Sequence, residues 1–318
     1  MQEIIEKNQI QYFAIIFALL FIACIGLLII VLFKKNCKTN EPYNNLDVID
    51  TLDYPRYFKF NNNRVFACMT TIPERLETPW FTKSILRTLK ILKRSNIYLF
   101  LSIPYKKRIG GDIYRIPEFL LNLSKRNRRF IIYRCNDYGP VTKLSGPLLS
   151  DLVPKDACIV ICDDDQLYTE LLFVKLATAA YKNPLNVISP QPLKKLYTNK
   201  NGYVIRKDGP YNSDTVSNEI MGFQGFAFIK KIMIPILDID IPEPCFRIDD
   251  HTISYYMEKE NIYIKYLEPT RGMQRKYISN QEELDGTIPD WPKLNEDEID
   301  DKRYKLSLEC RDQFNLKD

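Results

Sequence analysis

The pattern of apolar and polar positions divides the chain into zones before any chemistry is considered. From Tyr12 to Phe33 almost every position is apolar and none is charged. That run of about 22 residues is long enough to cross a ~30 Å hydrocarbon core as a helix. Residues 34–63 are polar and Asn-rich and show no periodicity, which predicts a tether. From Arg64 onward, short apolar runs alternate with segments of helical spacing. Val65–Met69, Ile97–Leu101, Phe130–Tyr133 and Cys158–Cys162 read as strands, the last of them buried on both faces. Trp80–Leu92, Ile116–Leu123 and Val141–Leu152 read as helices, and Leu172, Leu176 and Ala179 give a further helix one apolar face.

Strand and helix in alternation predict an α/β fold, a mostly parallel central sheet flanked by helices and preceded by one transmembrane helix. The expected organisation is a short tail (1–11), the membrane helix (12–33), the tether (34–63), a domain (64–278) and a C-terminal tail packed on it (279–318). After Pro190 the alternation breaks. Leu193–Ser217 is polar and turn-rich, as a long loop or β-ribbon over a site would be, and Trp291 is the expected anchor of the tail.

The apolar run reads as a retained anchor, because no Ala-x-Ala-like cleavage site follows it, it is too long for a signal peptide, and its basic flank lies after it. Lys34, Lys35 and Lys38 outweigh Lys7, which sits beside Glu3 and Glu6, so the domain is expected in the cytoplasm. The eight cysteines fall at irregular intervals. Cys158 and Cys162 would lie roughly 13 Å apart along a strand, too far for a disulfide. One sequon, Asn122-Leu123-Ser124, points to the other side of the membrane. The net charge of +5 is modest, and the basic run Lys125-Arg126-Asn127-Arg128-Arg129 has no interleaved aromatic platform. Nucleic acid is therefore not an expected partner, and a solvated helix end accounts for the run.

The candidate chemistry lies where strands end. Asp163, Asp164 and Asp165 follow the apolar run Ala157–Cys162. Three adjacent carboxylates repel one another unless a divalent cation coordinates them, and such an ion usually completes its shell with water and substrate phosphates. A solvated acidic loop is the plainer alternative. In open parallel sheets ligands bind beyond the carboxyl ends of the strands, the edge to which Thr70-Thr71 and Asn136-Asp137 are also delivered. No Gly-x-Gly-x-x-Gly follows the first strand and no phosphate-loop lysine occurs, so the usual dinucleotide and P-loop sites are absent. The single histidine, His251, excludes zinc sites built on paired histidines. Asp249 and Asp250 precede a helical face of Ile253, Tyr256 and Met257, either as an N-cap or with one carboxylate free for a substrate. Gly222 and Gly225 mark either a close approach of backbone to ligand or a bulged core strand.

Taken in order, these motifs resemble those of the GT-A nucleotide-sugar glycosyltransferases, in the compact form found in bacterial and large-DNA-virus genomes. The resemblance is carried by Thr70–Leu76, Asp137–Leu144, Asp163–Asp165, Gly222–Gly225 and the Asp249-Asp250 pair, over roughly Arg64 to Leu267. It implies a membrane-anchored, metal-dependent enzyme moving a sugar from a nucleoside-diphosphate donor to a glycan, lipid-linked or protein acceptor. Asp163 would hold the ribose or the metal, and Asp165 would ligate Mn²⁺ or Mg²⁺. Thr70, Arg75, Asp137, Asp164 and Gly225 would line the donor, and Lys143 would neutralise a phosphate or pin the base. Asp250, with Asp249 beside it, would be the general base of an inverting transfer. No histidine follows His251 to serve as a late metal ligand, and Gln274-Arg275-Lys276 only faintly echoes a Gln-x-x-Arg-Trp acceptor motif, so processive synthesis is not expected. Two rivals are a non-catalytic glycan-binding or structural protein that retains the fold, and a nucleotidyltransferase. The latter would want a Gly-rich basic loop where Thr71-Ile72-Pro73-Glu74 stands.

Overall fold

The computed structural model describes residues 64–108, 110–190, 196–198, 204–206, 216–217, 220, 222–238, 241–268, 275–277 and 296–314. The predicted span, the tether, most of Leu193–Ser217 and Trp291 lie outside the described residues. Among those described, no helix is long and apolar enough to cross a membrane.

Strands β1 (Val65–Thr70), β2 (Tyr98–Pro104), β3 (Phe130–Cys135) and β4 (Cys158–Ile161) alternate with helices α1 (Pro73–Leu76), α2 (Pro79–Arg94), α3 (Glu118–Arg126) and α4 (Thr142–Leu149). After β5 (Gln166–Tyr168) come α5 (Glu170–Lys182), β6 (Val187–Ser189), β7 (Leu196–Thr198), β8 (Val204–Arg206), β9 (Val216–Ser217) and β10 (Phe226–Ile229). The chain closes with α6 (Asp249–Lys259), β11 (Ile264–Tyr266), β12 (Arg275–Tyr277) and α7 (Glu296–Gln313).

The central sheet has the order β3-β2-β1-β4-β10-β6-β11-β9. β1, β2, β3 and β4 run parallel, as the alternation predicts. β10 enters antiparallel between β4 and β6, so the sheet is mixed from that point outward. β5 pairs with β12 in a separate two-stranded sheet.

Both faces are covered. Val65, Ala67 and Met69 of β1 pack with Phe81, Ile85 and Leu92 of α2 and Leu172 and Leu176 of α5 on one face. Phe66 and Cys68 point the other way, toward Leu144 and Leu148 of α4 and Ile253 and Tyr256 of α6. This period-2 division of a fully buried strand is why β1 reads as a continuous apolar run. α2 starts where Thr78 accepts a hydrogen bond from Phe81 N at 3.3 Å and Pro79 fills the first turn.

Helix α7 fastens the C-terminal end of the described chain. Cys245 and Cys310 form a disulfide across 65 residues, with Phe314 buried next to it. The four other described cysteines, Cys68, Cys135, Cys158 and Cys162, are free and buried.

Candidate active site

Because β1, β3 and β4 are parallel within one sheet, Thr70-Thr71, Asp137 and Asp163–Asp165 leave it at the same edge. Each carboxylate of the triplet then meets a different environment. Asp163 Oδ1 accepts from Lys143 Nζ at 2.6 Å, and its backbone N–H donates to the Tyr168 hydroxyl at 2.9 Å. Asp164 is buried. Its Oδ1 accepts from Arg75 at 2.6 Å, Ser84 donates to its carbonyl at 3.3 Å, and its Oδ2 has no partner among the described residues. Asp165 is more open, with the Gln166 amide at 3.3 Å and Arg75 at 3.6 Å. Burial, then the charges of Asp164 and Asp163, push its pKa up to about 6 against the opposing pull of Arg75.

Lys143 joins the triplet to the second carboxylate pair. Its ammonium lies 2.6 Å from Asp163 Oδ1 and 2.6 Å from Asp249 Oδ2, the latter as an ion pair without hydrogen-bond alignment. The lysine is 5% exposed. Burial alone would lower its pKa, but Asp163, Asp249 and Asp250 outweigh that and hold it well above the usual lysine range. Arg75 is held up in the same way by Asp164 and Asp165 against its own burial. Both cations are paired, and Lys143 bridges two carboxylates.

Asp249 and Asp250 are not caps. The N-cap of α6 is Ile248, no side chain caps the helix, and both acids sit in its first turn. Asp250 Oδ2 accepts from Gly222 N at 2.9 Å, while its buried Oδ1 has no partner among the described residues. A Cβ on Gly222 would lie 2.2 Å from Asp250 Oδ1, so any larger residue there would displace the Asp250 carboxylate. Burial, then the neighbouring Asp249 charge, push the Asp250 pKa up to about 8, against the pull of Lys143 and the Gly222 N–H.

Other predicted positions are placed differently from what their motifs imply. The Thr70 hydroxyl is spent on Ser102 O at 2.8 Å, whereas that of Thr71, buried at the same edge, has no partner among the described residues. Both oxygens of Asp137 accept backbone N–H groups, from Arg108 and Gly139, at 2.8 Å each. Asp137 thus shapes the turn that leads into α4. Gly225, at φ +77°, packs against Ile161 O, Leu176 and Leu172, so its open side faces the core rather than a ligand. Gly222 is the glycine that approaches the site. Thr71, Tyr168, Gln166 and Ser84 were not singled out as site residues, and only the position of Thr71 at a strand end signalled one.

Five carboxylates (Asp163, Asp164, Asp165, Asp249, Asp250) face two cations (Arg75, Lys143), an excess of three negative charges when all are ionised. Among the described residues no group of three or more His, Cys, Asp or Glu side chains is arranged to hold a metal ion. An all-protein cage is therefore not what these residues fit. They do fit a hard divalent ion held by one or two carboxylates, its remaining positions left to water or other oxygen ligands: the oxygens are hard, their charge is in excess, and Asp165 carries the loosest protein contacts.

No protein-family model and no curated protein matches the chain. Among solved structures it is similar to the crystal structure of GalNAc-T7 with UDP, GalNAc and Mn²⁺, at 10% sequence identity and a TM-score of 0.48. The match covers 72% of this chain and 48% of the other, so the chain spans about half the length of that structure. Identity this low transfers neither substrate nor mechanism.

Proposed function

We propose that the chain is a membrane-anchored, metal-dependent glycosyltransferase that moves a sugar from a nucleoside-diphosphate donor to an acceptor hydroxyl with inversion. The observation that carries this reading is the Lys143 bridge, which brings the carboxylates after β4 and those opening α6 into one site. A site for diphosphate and metal on one side, with a high-pKa carboxylate on the other, is what in-line displacement at a sugar carbon requires.

Asp165 and Asp163 would hold Mn²⁺ or Mg²⁺. When bound, the ion stabilises the charge growing on the departing nucleoside diphosphate. Arg75 keeps Asp164 in place, and the Thr71 hydroxyl is available to the donor. Asp250 takes the proton of the acceptor hydroxyl. Asp249 raises its proton affinity, and the Gly222 N–H fixes its orientation. The acceptor is a glycan, a lipid-linked sugar or a protein, and the segment 12–33 supplies the anchor.

Titration of the full-length chain with UDP and GDP, each with and without Mn²⁺, tests the donor site. Metal-dependent binding of one nucleotide, lost in Asp165→Asn, is expected. If neither nucleotide binds under any condition, the catalytic reading is overturned in favour of a glycan-binding protein that retains the fold.

A further inference from the structure

The sheet edge opposite the carboxylates is strongly basic. α2 ends there with Lys93 and Arg94, and the α3–β3 corner adds Lys125, Arg126, Arg128 and Arg129. The two corners touch, since β2 and β3 are neighbours and the Arg129 guanidinium donates to Lys93 O at 3.4 Å. Arg94 has Glu170 at 3.9 Å; among the described residues the other five make no ion pair.

Helix C-termini favour basic residues, which accounts for Lys93, Arg94, Lys125 and Arg126 one helix at a time. It does not account for Arg128 and Arg129, which lie beyond α3, or for the apolar tips on the same edge. Leu152, in the α4–β4 connection, is 58% exposed, and Leu185, in the α5–β6 connection, is 70% exposed. β4 and β6 start at this edge because both run parallel to β3. From β3 to β6 the edge spans about 25 Å, so cations and leucines occupy one rim, where Asp151 and Asp156 of the α4–β4 connection are outnumbered by the basic residues.

We propose that this rim lies against an anionic phospholipid surface, its basic side chains among headgroup phosphates and Leu152 and Leu185 at the acyl boundary. A cluster of four to eight Lys and Arg is the recognised composition for anionic headgroups, and exposed leucines add what a nucleic-acid site would not use. The strands separate the two edges by about 20 Å. If the glycosyltransfer reading holds, the carboxylates then open away from the bilayer, and the acceptor is a soluble or extended chain rather than a headgroup.

Lysine acylation followed by mass spectrometry tests this on the full-length chain. The protein is reconstituted into vesicles of pure phosphatidylcholine or of about 70% phosphatidylcholine and 30% phosphatidylserine. Lys93 and Lys125 are expected to react roughly fivefold more slowly in the anionic vesicles, while Lys83 and Lys106, at the carboxylate edge, are unchanged. About 1 M salt, or the pair Arg126→Glu with Arg128→Glu, restores the faster rate. Equal rates in the two vesicles overturn the proposal. So does equal slowing of Lys83, or stronger protection of Lys93 and Lys125 by RNA than by phosphatidylserine. The readout does not involve sugar transfer, so its outcome is separate from that of the nucleotide titration.

Discussion

Replacing Asp250 by Asn tests the mechanism at its most exposed point. With its pKa pushed up to about 8, Asp250 is ionised in roughly one molecule in ten at pH 7 and one in a hundred at pH 6. If it is the base, kcat/KM of the wild type rises about tenfold per pH unit from pH 6, bends near pH 8 and then levels. Asp250→Asn loses about 10²- to 10⁴-fold in transfer and loses that bend. The same shift makes a thermodynamic prediction. The unfolded chain ionises this carboxyl near 3.8, whereas the folded chain holds its proton up to about 8. The stability contributed by this carboxyl is thus full below pH 4 and falls as pH rises toward 8, by on the order of 5 kcal/mol. Asn cannot ionise, yet its amide oxygen can still accept from Gly222 N. The variant therefore becomes more stable relative to wild type as pH rises from 4.5 to 8. Urea unfolding at both pH values measures this difference, in which the titrating groups not coupled to Asp250 cancel. A wild-type kcat/KM that is flat from pH 6 to 9, or a stability difference that stays within about 0.5 kcal/mol across the range, would refute the assignment.

Two further outcomes follow from the packing around the site. Lys143→Met strands Asp163 and Asp249 in a buried setting and should cost about 3–5 kcal/mol in denaturant unfolding; a loss below about 1 kcal/mol would show that the bridge is not an internal ion pair. Cys310→Ser opens a 65-residue loop and should remove about 4 kcal/mol, seen as a melting temperature roughly 10 °C lower. Thiol titration of protein taken from cells under denaturing, non-reducing conditions gives a second reading of that bond. An intact disulfide places the domain in an oxidising compartment, and fully reduced thiols place it in the cytoplasm, as the Lys34, Lys35 and Lys38 flank predicts.

The half of the sheet built from β1 to β4 was legible because parallel strands covered on both faces must be apolar throughout, and helices follow β1, β2 and β3 in turn. Its other half was not. Phe226–Ile229 is four apolar residues, too short for periodicity to separate strand from helix, and nothing local shows that it enters antiparallel. The Cys245–Cys310 pair was equally hidden, since a 65-residue separation carries no spacing signal.

Within the site, sequence identified the acids but not their partners. Asp163–Asp165 and Asp249-Asp250 stand out because adjacent like charges beside apolar runs need an explanation. The distinction between Thr70 and Thr71 does not show in the chain. The first hydroxyl is satisfied by Ser102 O and the second is left for a ligand, a difference that depends on how β1 ends against β2. Lys143 did leave a trace that could have been read. It is the only charged residue in Thr142–Leu149, a helix buried on every side up to Leu148, with Gly146 pressed against Ser102. A helix with no solvated face cannot hold a lysine for solubility, so that lysine must be neutralised from within. Two carboxylate groups elsewhere in the chain, each carrying more negative charge than its neighbourhood can balance, are the partners that such a lysine demands. Combining the two imbalances predicts that the acids after β4 and those opening α6 converge, which the separate motifs do not.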